Sequence, residues 1–246
     1  MRKRLQTLRF LLLLVLAWSP LVSAQQAQQQ SRRVFGYGFV SPNTREDMKL
    51  DEAIKGMNSA EESKLLNEAV NLGCVVRSRI RAARALGVWS DGAEYSVMMR
   101  VNSDEETLRY LMSRLGRDAQ QKYVVYFQPS PKGSVDLYRL WLPRRAGNLV
   151  ALTTALERGG IPFRTLVPTR EGTAIYILDL DGNLKTKIAT VARQLRARVS
   201  HQDGDSALIG HDTREQAKVV FEDEIKKYEA KNPNLPPACD VKKKGH

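Results

Sequence analysis

The chain of 246 residues contains only 2 cysteines and 3 histidines, and that scarcity removes several chemistries at once. Cys74 and Cys239 stand too far apart, and His201, His211 and His246 are too few, to make a zinc site of recognisable ligand spacing. There is no Gly-x-Ser-x-Gly elbow, so a serine hydrolase would have to recruit His201 or His211 without the strained turn that exposes its nucleophile. The apolar run at residues 10–18 falls well short of the ~20 residues that cross a bilayer. No cofactor-binding pattern is present, and none is expected.

What stands at the N-terminus is ordered. Arg2, Lys3, Arg4 and Arg9 flank or precede the apolar run, and Pro20 and then Val22-Ser23-Ala24 follow it. Charge, a short apolar stretch and small residues in that order are what an export signal requires. The expectation is cleavage after Ala24 and a periplasmic or extracellular product with no membrane span. Cleavage would lower the net charge from +12 to +8, because four basic and no acidic residues leave. The remaining excess favours anionic surfaces and polymers without choosing among them. In an oxidising compartment Cys74 and Cys239 become disulfide candidates; alternatively Cys74 is a small apolar residue of a helix.

Residues 25–58 read as a Gln-rich flexible leader carrying one short apolar docking piece, VFGYGFVSPN. From residue 59 the periodicity is helical: Ser59 and Glu62 have capping-box spacing, and Leu65, Leu66, Ala69, Val70, Val76, Ile80 and Ala83 recur at steps of three and four. This predicts a helix over 59–86 ended by Gly87, with Arg77, Arg81 and Arg84 on its other face as solvated charge or as anion ligands. Residues 95–129, 135–169 and 174–210 each read strand, helix, strand, joined by the Gly-containing turns SPKGS and TREGT. Three successive β-α-β units in that order predict an α+β domain over 59–231, a ferredoxin-like split βαβ mixed sheet with helices on one face. A last amphipathic helix over 212–231 precedes a disordered tail, 232–246. Arg144 and Arg145, ahead of the second unit's helix, are further anion candidates.

The sharpest motif is IYILDLDGNL. It resembles the first motif of the haloacid-dehalogenase-type phosphatases, a strand ending in Asp-x-Asp-Gly-Thr-Leu. The resemblance implies Asp179 as nucleophile and Asp181 as acid/base, with Gly204-Asp205-Ser206 resembling the family's magnesium-binding Gly-Asp-Ser. The sequence departs from that pattern: Asn183 replaces the Thr, and only one helix separates Asp181 from Asp205, where the family has most of a domain. A calcium loop fails on counting, since Leu184 and Thr190 occupy the positions that need Gly and Glu. A strand-to-helix turn capped by Asp181 or Asn183 accounts for the stretch.

Two further clusters have structural explanations. His201, Asp203, Asp205, His211 and Asp212 crowd a loop-flanked strand, and Tyr123, Tyr126, Phe127, Tyr138 and Trp141 are strand aromatics that pack more often than they stack on RNA. The expectation is therefore an exported, non-enzymatic binding or interaction module whose partner is a protein or a cell-envelope polymer, anionic ones being favoured by charge and nucleic acid not expected. The alternative is a metal-assisted phosphate hydrolase using Asp179, Asp181 and Asp205.

Overall fold

The computed structural model describes residues 35–42, 48–89, 92–143 and 148–236. The expected export signal and the start of the leader, together with Arg144, Arg145 and Cys239, lie outside the described residues. The strands are β1 (Gly36–Val40), β2 (Ile80–Val88), β3 (Ala93–Val101), β4 (Tyr123–Pro129), β5 (Val135–Pro143), β6 (Arg164–Pro168), β7 (Gly172–Asp179) and β8 (Arg198–Gly210). The helices are α1 (Leu50–Gly56), α2 (Ala60–Val75), α3 (Glu105–Asp118), α4 (Leu149–Arg158), α5 (Lys185–Gln194) and α6 (Arg214–Lys231).

The strands close into one barrel of eight in the order β1-β3-β2-β6-β7-β5-β8-β4, and every described pair is antiparallel. This overturns the expected ferredoxin-like mixed sheet. Among the described residues there are four strand-helix-strand units rather than three, and no strand lies parallel to its neighbour. The two halves of the chain share one internal order, β4-β1-β3-β2 and β8-β5-β7-β6, and their edge strands meet at the β2–β6 and β4–β8 seams. Closure removes the open edges that a sheet must otherwise protect.

Closure is visible in the packing. Tyr37, Ala85, Met98, Phe127, Val167 and Tyr176, from six different strands, belong to one buried cluster, which is possible only on the inside of a closed sheet. Outside, α2, α3 and α6 pack on β1, β3 and β4 through residues such as Leu65, Leu111, Leu115 and Phe221. The helices α4 and α5 cover β5, β6 and β7 through Leu152, Leu156 and Ile188, and α1 packs on β2 and β3. β1 can lie close under α3 because it is glycine-rich: a Cβ on Gly38 would collide with the buried Met112 side chain. No helix among the described residues is long and apolar enough to cross a membrane.

The first expected helix is too long. Ser59 does cap α2, accepting from the Glu62 amide at 3.2 Å, while the Glu62 carboxylate accepts from the Asn58 amide at 2.7 Å. The helix nevertheless stops at Val75. Arg77 turns left-handed (φ 52°), and the Ser78 amide returns to the Gly73 carbonyl at 2.9 Å, the bond that closes a helix terminus. The same device ends α3, α4 and α5, with Gln120, Gly160 and Arg196 at positive φ and return bonds Gln121→Gly116, Ile161→Leu156 and Ala197→Ala192. Only one of these four stops is a glycine, so a reading that waits for Gly runs through the others. Residues 80–88 become β2, paired with β3 along nine residues from Ile80↔Val101 to Val88↔Ala93. Arg77, Arg81 and Arg84 therefore do not share a helical face. Arg77 is a turn residue, Arg81 and Arg84 lie on β2, and Arg84 pairs with the buried Glu62 at 2.8 Å.

A left-handed arginine carries a steric cost that glycine does not. Arg77→Gly should raise the stability of the folded chain by about 0.5–1 kcal/mol, read as a higher midpoint in urea unfolding with an unchanged slope; a lower midpoint would show that Arg77 contributes more through its side chain than its backbone costs.

Candidate functional site

The aspartates of the phosphatase-like stretch are separated by role. Asp179, at the end of β7, is 1 % exposed and accepts from the Asn183 amide at 3.0 Å and from the Leu184 amide at 2.9 Å. Both of its oxygens are thus engaged in holding the turn into α5, so the cap is Asp179 and not Asp181 or Asn183. Gly182 supplies the positive φ of that turn, at 68°. Asp181 is exposed in the turn, and Asp205 is exposed on β8 opposite Gln128. No group of three or more His, Cys, Asp or Glu among the described residues is arranged to hold a metal ion.

The remaining expected residues also separate. Cys74, on the last turn of α2, is disulfide-bonded, and Cys239, the other half of the expected bridge, lies outside the described residues. His201 stacks on Tyr138 with ring centroids 5.7 Å apart and approaches Asp203 at 3.6 Å on the outer face. The strand aromatics do not form a platform. Tyr126 and Tyr138 point outward, Tyr126 donating to Glu105 at 2.9 Å, whereas Phe127 faces the interior.

What the structure brings together is one mouth of the barrel. A cavity of about 1010 Å³ opens there, walled by Phe39, Val125, Leu137, Phe163, Leu178 and Leu208, with Trp89 and Tyr176 among its further lining. Its rim is unusual for a folded surface. Of the eight large apolar side chains exposed among the described residues, Tyr123, Phe163, Leu180 and Leu208 surround this opening. Such an exposed apolar cluster is a feature of binding sites. Lys122, Asp212 and Arg214 add charge at the rim, and the Tyr123 hydroxyl donates to Asp212.

Glu94 projects from β3 into this apolar space. It is the Cα partner of Gly87 on β2, and a Cβ on Gly87 would come within 3.2 Å of the Glu94 side chain; the glycine leaves room for the carboxyl to lie across the strand. Burial pushes the Glu94 pKa up to about 7, opposed by a hydrogen bond from Ser41, whose hydroxyl also lies 3.0 Å from the Tyr95 carbonyl. Near neutral pH the group is therefore divided between a proton-donating acid and an accepting carboxylate. Sequence reading missed it because the expected strand began at Tyr95. The usable signal was parity: Glu94, Ser96, Met98 and Arg100 share one face of β3, and the alternate residues Tyr95, Val97, Met99 and Val101 are all apolar.

Arg164 is 4 % exposed beside the cavity. It donates to the Ile161 carbonyl at 2.8 Å and the Pro162 carbonyl at 3.1 Å, tying the start of β6 to the loop after α4. Its role is to hold the cavity wall.

Two outcomes follow from these placements. Asp179→Ala should destabilise the chain by about 1–3 kcal/mol by leaving two amides without an acceptor, seen as a lower Tm. For Glu94, the folded pKa lies above the unfolded value of 4.5, so its contribution is fully present below about pH 4.5 and is lost as pH rises through about 7. Solvent in the cavity reduces the effect, which should amount to about 2 kcal/mol between pH 5 and pH 8. Glu94→Gln should flatten this decline in urea melts. A residual slope should persist from Glu68, which burial and the neighbouring Asp118 also push up to about 7; an unchanged slope would show that Glu94 is not desolvated.

No family model matches this chain, and no curated protein shows significant similarity to it.

Proposed function

We propose that this chain is a non-enzymatic binding module, working outside the cytoplasm as its opening residues suggest, whose barrel mouth holds a small and largely apolar molecule with one hydrogen-bonding group set at Glu94. The observation that carries this reading is the cavity of about 1010 Å³ with apolar walls and a single desolvated carboxyl. Small-molecule sites are concave and mostly apolar with few polar anchors, and reach about 1000 Å³. A concavity of this kind supports a small molecule over the protein or envelope polymer that charge alone suggested. Burying the ligand and the exposed Phe163, Leu180 and Leu208 together supplies the driving force, while protonated Glu94 donates to a carbonyl or hydroxyl oxygen and so fixes orientation. The phosphate-hydrolase alternative draws no support from Asp179, whose carboxylate is committed to two backbone amides.

The neutral fluorescent probe N-phenyl-1-naphthylamine tests the reading directly. The chain should bind it with an emission increase and a micromolar Kd, and Val125→Trp, which fills the cavity from its wall, should weaken binding at least ~10-fold with far-UV circular dichroism unchanged. Absence of binding, or binding indifferent to Val125→Trp, would remove the cavity as the site.

A further inference from the structure

The opposite end of the barrel gathers positive charge on its inner face. Arg81 on β2 and Arg100 on β3 are direct Cα partners, and like charges set opposite one another across a strand pair repel. Arg139 enters from β5, which is four places from β3 in the ring of eight and so stands across the barrel from it. Arg100 and Arg139 both act on the Tyr176 hydroxyl: burial pushes the phenol pKa up, and the two guanidiniums, Arg139 with a hydrogen bond, pull it back. Arg139 is the direct Cα partner of Tyr176, and Arg100 stands 6.0 Å from the Tyr37 ring, itself 5.5 Å from that of Tyr176, so two cations from opposite walls flank one phenol.

Their orientation is set by aromatic rings. The Arg100 guanidinium carbon lies 3.8 Å from the centroid of Phe35 and 6.0 Å from that of Tyr37, and the Arg139 carbon lies 5.7 Å from the Trp141 ring. None of Arg81, Arg100 and Arg139 makes an ion pair with a described residue, and neither does Glu171 in the β6–β7 turn. The Arg100 Nε is buried with no hydrogen-bond partner among the described residues. Glu94, the carboxyl on the same face of β3, lies at the other mouth. A buried donor is normally matched, and beside three guanidiniums, of which Arg81 and Arg139 are exposed, a fitting partner is negative and rich in acceptors.

We infer that this second mouth is an oxyanion site, in which a phosphate or carboxylate group sits between Arg100 and Arg139, against the Tyr176 hydroxyl, with Arg81 at the opening. Guanidinium forks match the oxygen spacing of both groups, and the stacked rings hold the forks in place before the anion arrives. The site is separate from the apolar cavity. Only Tyr176 borders both, so the two can succeed or fail independently.

The test uses the full chain titrated with sodium phosphate and, in a second arm, sodium acetate, each against sodium chloride at equal ionic strength, reading Tm and tryptophan emission. Either oxyanion should raise Tm by about 2–5 °C beyond chloride and change the emission of Trp141 as Arg139 is drawn from its ring; the larger response names the preferred group. Arg139→Gln, at an exposed position, should abolish both signals, and Trp141→Phe should abolish the emission change while keeping the Tm shift. A response no larger than that of chloride, or one that survives Arg139→Gln, overturns the site.

Discussion

Everything else in this molecule depends on two seams. Each half of the chain makes a four-stranded antiparallel array, and on its own each would expose two edges of unpaired amides and carbonyls. β4 joins β8 over seven residues, Tyr123↔Gly210 to Pro129↔Gly204, and β2 joins β6 over three, Leu86↔Leu166 to Val88↔Arg164. With both seams made, the surface that an open sheet would turn to solvent becomes an interior. The shortness of the second seam matters as well. β2 and β6 are tied near the cavity and are not paired farther down, where Arg81 stands.

An interior formed in this way need not be dry. Its middle is closed by Tyr37, Tyr176 and Phe127, with the Tyr37 and Tyr176 rings 5.5 Å apart. Its two ends keep solvent access and carry opposite chemistry: a raised-pKa carboxyl among apolar walls at one, guanidiniums stacked on aromatic rings at the other. Alternation along β3 places Glu94 and Arg100 on the same inward face, one near each end. The separation keeps them from neutralising each other, and neither has an ion-pair partner among the described residues. Meanwhile the helices do the ordinary work of cores, burying the outer faces of the strands, and they leave the inner face to the barrel's own interior.

Legibility in the sequence followed local physics closely. α3, α4 and α6 could be read because their apolar stripes and N-caps (Asp104, Asn148 and Thr213) act within a few residues, and β3 to β7 because alternation is a local signal. β2 could not be read. Its IRAARALGV is rich in small alanines, which looks helical until nine pairs with β3 override it. β1 is too short and glycine-rich to declare itself, and in the first half of β8, RVSHQD, the helical pattern runs on through Arg198 and Val199 and the rest reads as loop, because both of its faces are polar and exposed. Glu94 escaped for a related reason: on an isolated strand a face carrying Glu, Ser and Arg is a solvent face.

The sequence by itself determined the strand-helix-strand alternation, most of the turns and the caps that start the helices, since these depend on neighbours three to five residues away. It also confined catalytic expectations to a few aspartates, and the role of Asp179 as a cap was decided within five residues of chain. Only the tertiary structure decided that the sheet closes, which face of each strand is inside, and that Glu94, Gly87 and the apolar mouth belong together. Those outcomes rest on hydrogen bonds between edges 75 to 87 residues apart, and no local pattern specifies which edge another will find.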